Sequence, residues 1–118
     1  MNASAIVGRG NMNMPSYKFV VLTNAIEDQD DVFNEWYDKQ HLADLLAIPG
    51  FENAHRYRVI GAGDTKPQWR YLAIYEIETD DIEATIAEMY ARSGTGTMPL
   101  SPALDMATVY AMPFEPIG

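Results

Sequence analysis

The chain has 118 residues, the size of one domain with a single core. Seventeen acidic residues against eight basic ones give a formal charge of −9, so nucleic acid and anionic membrane surfaces are poor candidate partners. The chain has no cysteine, which excludes disulfides, thiolate metal sites and thiol nucleophiles and fits a reducing compartment. No stretch approaches the roughly 18 apolar residues of a membrane span, and we expect a cytoplasmic protein.

The first fifteen residues contain glycine and asparagine and lack the apolar core of a signal peptide. We therefore expect a flexible N-terminal arm over residues 1–15 and a single domain over residues 16–118. The first predicted strand is residues 17–26, which are apolar on both alternating faces, as in a strand covered on two sides. A helix is predicted over residues 30–47, because Asp30 is a candidate cap and a Pro-Gly pair follows the last apolar residues.

Two strands follow, at residues 51–60 and 69–78, joined by a polar turn. A second helix is predicted over residues 80–92, where a Thr-Asp-Asp start precedes apolar residues at helical spacing. Residues 93–105 are rich in Gly, Pro, Ser and Thr, which predicts a loop long enough to act as a lid. A short strand at residues 106–112 completes the pattern.

The order β-α-β-β-α-β predicts an α+β ferredoxin-like fold, in which four antiparallel strands carry both helices on one face. The other face of the sheet is then uncovered, although the first and third strands are apolar on both faces. Because a large exposed apolar patch marks an interface, we expect a homodimer packed sheet to sheet. A charge introduced at Val21 or Ile77 is expected to disrupt it.

One face of the first helix combines aromatic side chains with a titratable group. Phe33, Tyr37 and His41 follow one another at i, i+4 and i+8, and Trp36 lies beside them. An imidazole titrates near neutrality, so His41 is a candidate general acid or base. Alternatively, His41 is a hydrogen-bonded structural residue.

Two neighbours of His41 are candidates to assist it. Asp44, three residues further along the helix, can hold the other imidazole nitrogen; alternatively it is solvated or pairs with a cation. Tyr37 can donate a hydrogen bond to a carbonyl or a developing enolate; alternatively it fills the core.

Two arginines, Arg56 and Arg58, lie on the same face of the second strand. They can bind a carboxylate, but cross-strand pairing with Glu76 and Glu78 explains them without a ligand, and we favour that pairing. The two histidines lie in different elements and form no recognisable ligand set, so we predict no metal site. No glycine-rich nucleotide loop is present, and we predict no cofactor.

The chain resembles the dimeric α/β-barrel superfamily, particularly its EthD-like branch. The resemblance covers residues 16–114 and rests on the β-α-β-β-α-β order and on three runs: Phe33-Asn34-Glu35-Trp36-Tyr37-Asp38 with His41 one turn later, Ile48-Pro49-Gly50-Phe51, and Arg56-Tyr57-Arg58. Members include cofactor-free monooxygenases of phenols, polyketide cyclases, muconolactone isomerases, aldoxime dehydratases and haem-degrading enzymes. Such a fold does not name a reaction.

The resemblance implies a pocket between the helices and the sheet of each subunit, with His41 facing it. Some members have a proline two residues after that histidine, whereas this chain has Ala43 at that position. Haem-binding members carry an axial histidine, usually on the second helix, and residues 80–92 contain none. Asn24 and Trp69 resemble the polar-aromatic pairs with which the superfamily's oxygenases direct oxygen chemistry.

The first hypothesis is a homodimeric enzyme of catabolic or secondary metabolism, with His41 as general acid or base in a cofactor-free isomerisation, cyclisation or elimination. Its substrate would be an aromatic or polyketide-like molecule bound by Phe33, Trp36, Tyr37 and Tyr75. The first alternative is a cofactor-independent monooxygenase of phenolic substrates. The second alternative is a non-catalytic ligand-binding dimer in which His41 is structural.

Overall fold

The computed structural model describes residues 14–61, 63–64 and 66–118. Residues 1–13, and with them most of the predicted N-terminal arm, lie outside the described residues. The described strands and helices are β1 (Ser16–Thr23), α1 (residues 30–46), β2 (Phe51–Arg58), β3 (Tyr71–Glu78), α2 (Ile82–Arg92) and β4 (Tyr110–Phe114). The predicted β-α-β-β-α-β order and α+β class are therefore confirmed. In this part of the chain, no helix has the length and apolar character needed to cross a membrane.

The four strands form one sheet in the order β2-β3-β1-β4, and every neighbouring pair is antiparallel. This is the strand order of the ferredoxin-like fold. One face of the sheet, hereafter the inner face, packs against α1 and α2 to form the core. In β3 the strand alternation is complete, since Tyr71, Ala73, Tyr75 and Ile77 are buried while the residues between them are half-buried.

The expected dimer-disrupting positions lie on the inner face, so that part of the prediction is wrong. Ile77 is fully buried, and Val21 packs against the same core. A charge at either residue would enter the hydrophobic core of the subunit. The apolar residues of the opposite face, hereafter the outer face, are half-buried or exposed; they are Val20, Leu22, Leu72, Ile74, Tyr110, Met112 and Phe114. When both faces of a strand are apolar, its sequence does not tell which face the helices cover.

The predicted pairing of Arg56 and Arg58 with Glu76 and Glu78 is also wrong. The register places Arg56 opposite Ala73, so both arginines lie on the inner face and both glutamates on the outer face. Glu76 instead pairs with Lys18 at 3.0 Å. The register shifts near the start of β2, between Phe51 and Asn53, and local sequence gave no sign of this irregularity.

The C-terminal strand begins later than predicted. Residues Met106–Thr108 form a single 3₁₀ turn, because the side chain of Asp105 accepts a hydrogen bond from the backbone N–H of Ala107 at 3.1 Å. The strand then runs from Tyr110 to Phe114 and includes Pro113, which an edge strand tolerates.

The first helix contains a π-turn. It is α-helical over Asp30–Trp36 and Leu42–Leu46, whereas Tyr37–His41 form the π-turn between them. The backbone N–H of Leu42 donates to the carbonyl of Tyr37, five residues earlier. Single π-turns within α-helices are frequent at functional sites.

Candidate active site

A cavity of about 130 Å³ lies between the inner face of the sheet and the two helices. The segment of residues 93–109, hereafter the covering segment, supplies part of its wall. The lining is apolar except for His41 and the hydroxyl groups of tyrosine, serine and threonine, and it contains no Asp, Glu, Lys or Arg. An apolar concave site with few polar groups is the usual form of a small-molecule site.

The π-turn determines how His41 lies in this cavity. Its ring stacks on Trp36 at 4.4 Å between centroids and 24° between planes, and it lies edge-on to Tyr37 at 4.9 Å. In a regular α-helix, residues five apart point about 140° away from one another and do not stack. The extra residue of the π-turn therefore brings the imidazole against the Trp36 ring.

The imidazole of His41 is neutral at physiological pH. Burial, together with the positive charge of Arg56 as the smaller cause, lowers its pKa to about 4. The Nδ1 atom is inaccessible to solvent and has no hydrogen-bond partner among the described residues. An unpaired buried nitrogen costs about 1–3 kcal/mol, so a side-chain rearrangement that gave this atom a hydrogen-bond donor would be favoured.

Asp44 makes no hydrogen bond to His41 in the described part of the chain. Its Oδ2 atom is also buried and without a partner in the described part of the chain, and no hydrogen bond joins the two side chains. Asp44 does not belong to the cavity lining either.

Two buried tyrosines form part of the cavity wall. The hydroxyl oxygens of Tyr37 and Tyr75 lie 2.7 Å apart, and both residues line the cavity. Burial raises the pKa of Tyr37 to about 12 and that of Tyr75 well above its ordinary value. Both hydroxyls therefore stay protonated at physiological pH. Their mutual hydrogen bond uses one hydroxyl hydrogen, which leaves the other for an oxygen of a ligand.

Arg56 lies behind this wall and does not line the cavity. Its guanidinium carbon is 4.2 Å from the centre of the Tyr37 ring, and its side chain is 13% exposed. It donates hydrogen bonds to the side-chain oxygens of Asp38 and Asn34, both at 2.8 Å. Its other side borders a polar cleft at the surface, which Arg58 also lines.

Three further predicted site residues lie away from the cavity. Phe33 is fully buried in the core, where its ring packs against those of Trp36, Tyr37 and Tyr71. Asn24 follows the end of β1, and its side-chain oxygen accepts a hydrogen bond from the backbone N–H of Arg70 at 2.9 Å.

The indole of Trp69 lies near Asn24, since both side chains bond to Thr108. Asn24 Nδ2 donates to the hydroxyl of Thr108, and Trp69 Nε1 donates to its carbonyl. These polar atoms fasten the 3₁₀ turn to the end of the sheet. The structure thus brings four of the nine predicted site residues together at the cavity: Trp36, Tyr37, His41 and Tyr75.

The prediction missed the residues that the covering segment and α2 add to the cavity. They are Met89, Tyr90, Ser93, Met98, Leu100, Leu104, Met106 and Val109. Met98 is 1% exposed, and its carbonyl accepts a hydrogen bond from the backbone N–H of Gly94. The sequence did contain a signal, because large apolar residues recur within a segment that is otherwise polar and rich in Gly and Pro. Such residues are candidates to pack against the core, as Met98 does.

The described residues contain no group of three or more His, Cys, Asp or Glu side chains that could hold a metal ion.

No protein-family model matches the sequence, and no curated protein matches it. Solved structures do match its fold. A candidate monooxygenase from Shewanella loihica PV-4 is 13% identical with a TM-score of 0.59, covering 89% of this chain and 97% of that one. A protein of the EthD (ethyl tert-butyl ether) family from Bacillus halodurans C-125 is 17% identical with a TM-score of 0.54, covering 86% and 99%.

The third match is the heme-degrader MhuD from Mycobacterium tuberculosis, solved with two hemes bound in its active site. It is 16% identical with a TM-score of 0.57, and the match covers 87% of this chain and 96% of that one. The chain therefore shares the α+β ferredoxin-like fold of these three structures. The predicted resemblance, including the likeness to an EthD protein, is thereby confirmed at the level of fold.

The cavity does not fit a haem. Its volume of about 130 Å³ is well below the roughly 300–1,000 Å³ of sites for drug-sized ligands, and a porphyrin is larger than such ligands. His41 is the one histidine of its lining, and that ring is covered on one face by Trp36. The α2 helix carries no histidine.

Proposed function

We propose that this protein is an enzyme that moves a proton within a small aromatic or polyketide-like molecule, in a cofactor-free isomerisation, cyclisation or elimination. The observation that supports this most directly is His41, a neutral imidazole that lines an apolar cavity and whose buried Nδ1 atom has no hydrogen-bond partner among the described residues. A neutral imidazole accepts a proton from one atom of a substrate and returns it to another.

The tyrosine pair supplies the complementary group. A substrate that loses a proton beside a carbonyl develops negative charge on the carbonyl oxygen. The second hydroxyl hydrogen of the Tyr37–Tyr75 pair can donate to that oxygen, and preorganised donors of this kind stabilise such charge strongly in a water-poor site.

The low pKa of His41 makes it a weak base, which limits the substrate groups that it can deprotonate. Moving a proton from a group of pKa 10 to a base of pKa about 4 costs roughly 8 kcal/mol before the charges interact. The imidazolium and the new anion attract each other in the apolar cavity, which recovers part of this cost. The proposed substrate therefore carries an activated C–H or a phenolic O–H.

The size of the cavity limits the substrate to about one aromatic ring. Its volume of about 130 Å³ is near the roughly 150 Å³ of an engineered apolar cavity that binds benzene. Methionine and aromatic side chains make up much of the lining, and both contact aromatic rings favourably. A larger polyketide-like molecule would require the covering segment to move outward.

A second candidate function is a cofactor-independent monooxygenase, which the likeness to the Shewanella loihica protein favours. His41 would deprotonate an electron-rich phenol. The resulting phenolate carries negative charge on a ring carbon, where it would reduce molecular oxygen. One oxygen atom becomes a quinone carbonyl on that carbon, and the other leaves as water with the two hydrogens that the substrate loses, so the substrate supplies all four electrons.

Thermal-shift measurements with phenols, aromatic acids, lactones and quinones test both functions, with dissolved oxygen followed for each hit. The variants are His41→Gln and, as a matched control, His55→Gln, which changes the exposed histidine of β2. We expect a compound that stabilises all three proteins and is consumed by the wild type and His55→Gln only. Oxygen uptake assigns the monooxygenase, and consumption without it assigns the proton-transfer reaction. Equal binding to all three proteins with no consumption would overturn both and assign a ligand-binding protein.

We also propose that the active form is a homodimer through the outer face of the sheet. Apolar side chains from three strands lie side by side there, and those of β4 are well exposed: Tyr110, Met112 and Phe114 are 42%, 43% and 54% exposed. Contiguous apolar surface of this kind marks an interface in soluble proteins.

A further inference from the structure

Arg56 connects the second strand to the first helix at the point where the π-turn begins. Its two terminal nitrogens donate to Asn34 and Asp38, which are one helical turn apart on α1. Tyr37 lies between these two anchors in the sequence. The arginine thus fixes the turn of α1 that carries Tyr37, one member of the hydroxyl pair in the cavity wall.

The guanidinium also lies against the Tyr37 ring, 4.2 Å from its centre, with Phe33 and Tyr71 next nearest at 5.5 and 5.7 Å. Tyr37 lines the cavity and Arg56 does not, so the tyrosine ring separates the charge from the cavity. A guanidinium over an aromatic face is held by cation–π attraction, which grows as the pair loses water.

We infer that Arg56 is a positioning residue of this site: it fixes the Tyr37–Tyr75 hydroxyl pair and places a buried positive charge behind that pair, which favours a bound molecule carrying an anionic oxygen. This rests on the proposed function, because it assigns the hydroxyl pair to the substrate oxygen. It also narrows the substrate class to molecules that pass through a phenolate or an enolate.

The positive charge of Arg56 shifts the pKa values of Tyr37, Tyr75 and His41 in the directions that favour an anionic oxygen in the cavity. It opposes the burial that raises the pKa of Tyr37 and of Tyr75, and it adds to the lowering of the pKa of His41. Asp38, its ion-pair partner, is 60% exposed, so solvent screens that carboxylate more than the arginine, which is 13% exposed. The titratable and charged groups near His41 are Tyr37, Asp38 and Asp44 on α1, Arg56 on β2, Tyr75 on β3 and Tyr90 on α2.

The test is an NMR titration of the His41 imidazole in the unliganded protein and three variants. Arg56→Lys keeps the charge, Arg56→Met keeps the apolar stem without the charge, and Arg58→Met removes an exposed charge two residues along the same face. We expect the pKa of His41 to stay near 4 in the wild type, Arg56→Lys and Arg58→Met and to rise by about one unit in Arg56→Met. Equal rises in Arg56→Lys and Arg56→Met would show a merely structural residue and overturn the inference, as would no rise in either.

Turnover of a substrate found by the thermal-shift measurements gives the second readout. Arg56→Met should lower kcat about tenfold with KM changed less than about twofold, and Arg56→Lys should recover most of the loss. Unchanged kcat in Arg56→Met would overturn the catalytic part of the inference. The NMR titration needs no substrate. If the proposed function fails, the titration still tests whether the Arg56 charge acts on His41.

Discussion

At the scale of single residues, the buried imidazole makes the stability of the fold depend on pH. The pKa of His41 is about 4 in the folded chain and about 6.5 when the chain is unfolded. Between these values the unfolded state binds more protons than the folded state, so the free energy of unfolding rises with pH. The contribution is fully present above pH 6.5 and is lost as the pH falls towards 4.

We predict that His41 accounts for about 2–3 kcal/mol of this loss, after allowance for its partial contact with solvent. The measurement is chemical denaturation at a series of pH values between 4 and 7 for the wild type, His41→Gln and His55→Gln. The difference between the wild type and His41→Gln should shrink by that amount as the pH falls, while His55→Gln should follow the wild type. A difference that does not change with pH would mean that His41 titrates normally in the folded protein.

The sequence identified part of the site because that part lies on one continuous helix. Helical spacing was sufficient to group Trp36, Tyr37 and His41, since their neighbourhood is local. Arg56 reaches the same site from a strand 15 residues further along the chain, and its partner depends on the register of β2 against β3. Pairing across strands depends on the packing of the whole domain, so the sequence suggested the wrong partner.

At the scale of elements, the π-turn is the feature that sequence periodicity could not predict. The spacing of the apolar residues predicts a helix over residues 30–47 but does not specify whether or where a single π-turn interrupts it. That residue nevertheless decides that His41 stacks on Trp36. The covering segment is a similar case: its turns were correctly read as a loop, but the contacts of Met98 with the core depend on distant residues.

The turn between α1 and β2 yields a second prediction, at Gly50. This residue has a φ of +101°, and its carbonyl accepts a hydrogen bond from the backbone N–H of Glu78 at 2.8 Å. An added Cβ would lie 3.2 Å from the carbonyl oxygen of Glu78 and 3.4 Å from a methyl group of Thr85. Gly50→Ala is therefore expected to lower the free energy of unfolding by about 1–3 kcal/mol, through backbone strain and crowding.

Gly96→Ala is the matched control for the substitution at Gly50. A Cβ at Gly96 would meet nothing within 4 Å, so its stability should change by less than about 0.5 kcal/mol. Thermal or chemical denaturation of the two variants measures the comparison. Equal stability of Gly50→Ala and the wild type would show that the turn adapts to an L-residue and that the close approach to β3 is not required.

At the scale of the whole molecule, the order of the elements was predictable because each boundary has a local chemical cause. Asp81 caps α2 by accepting a hydrogen bond from the backbone N–H of Ala84, and Pro49 with Gly50 ends the first helix. The predicted cap at Asp30 is wrong: Gln29 holds the cap position of α1 without a side-chain hydrogen bond, and the Asp30 carboxylate accepts one from the Tyr71 hydroxyl instead. The β-α-β-β-α-β order then allows few topologies, and the ferredoxin-like arrangement is one that avoids crossing connections. Which face of the sheet the helices cover was not predictable, because both faces are apolar.

The outer face leads to the prediction for assembly. Ile74 lies on the outer face of β3, next to Val20 of β1, so Ile74→Glu adds a charge to the centre of the proposed interface without entering the core. In a two-fold dimer the substitution occurs on both sides of the interface, where two desolvated carboxylates repel each other. We expect light scattering to give a dimer for the wild type and a folded monomer for Ile74→Glu. Val32→Glu, at a residue 54% exposed on α1, should remain dimeric. A monomeric wild type, or a dimer that tolerates Ile74→Glu, would mean that the outer face has another role.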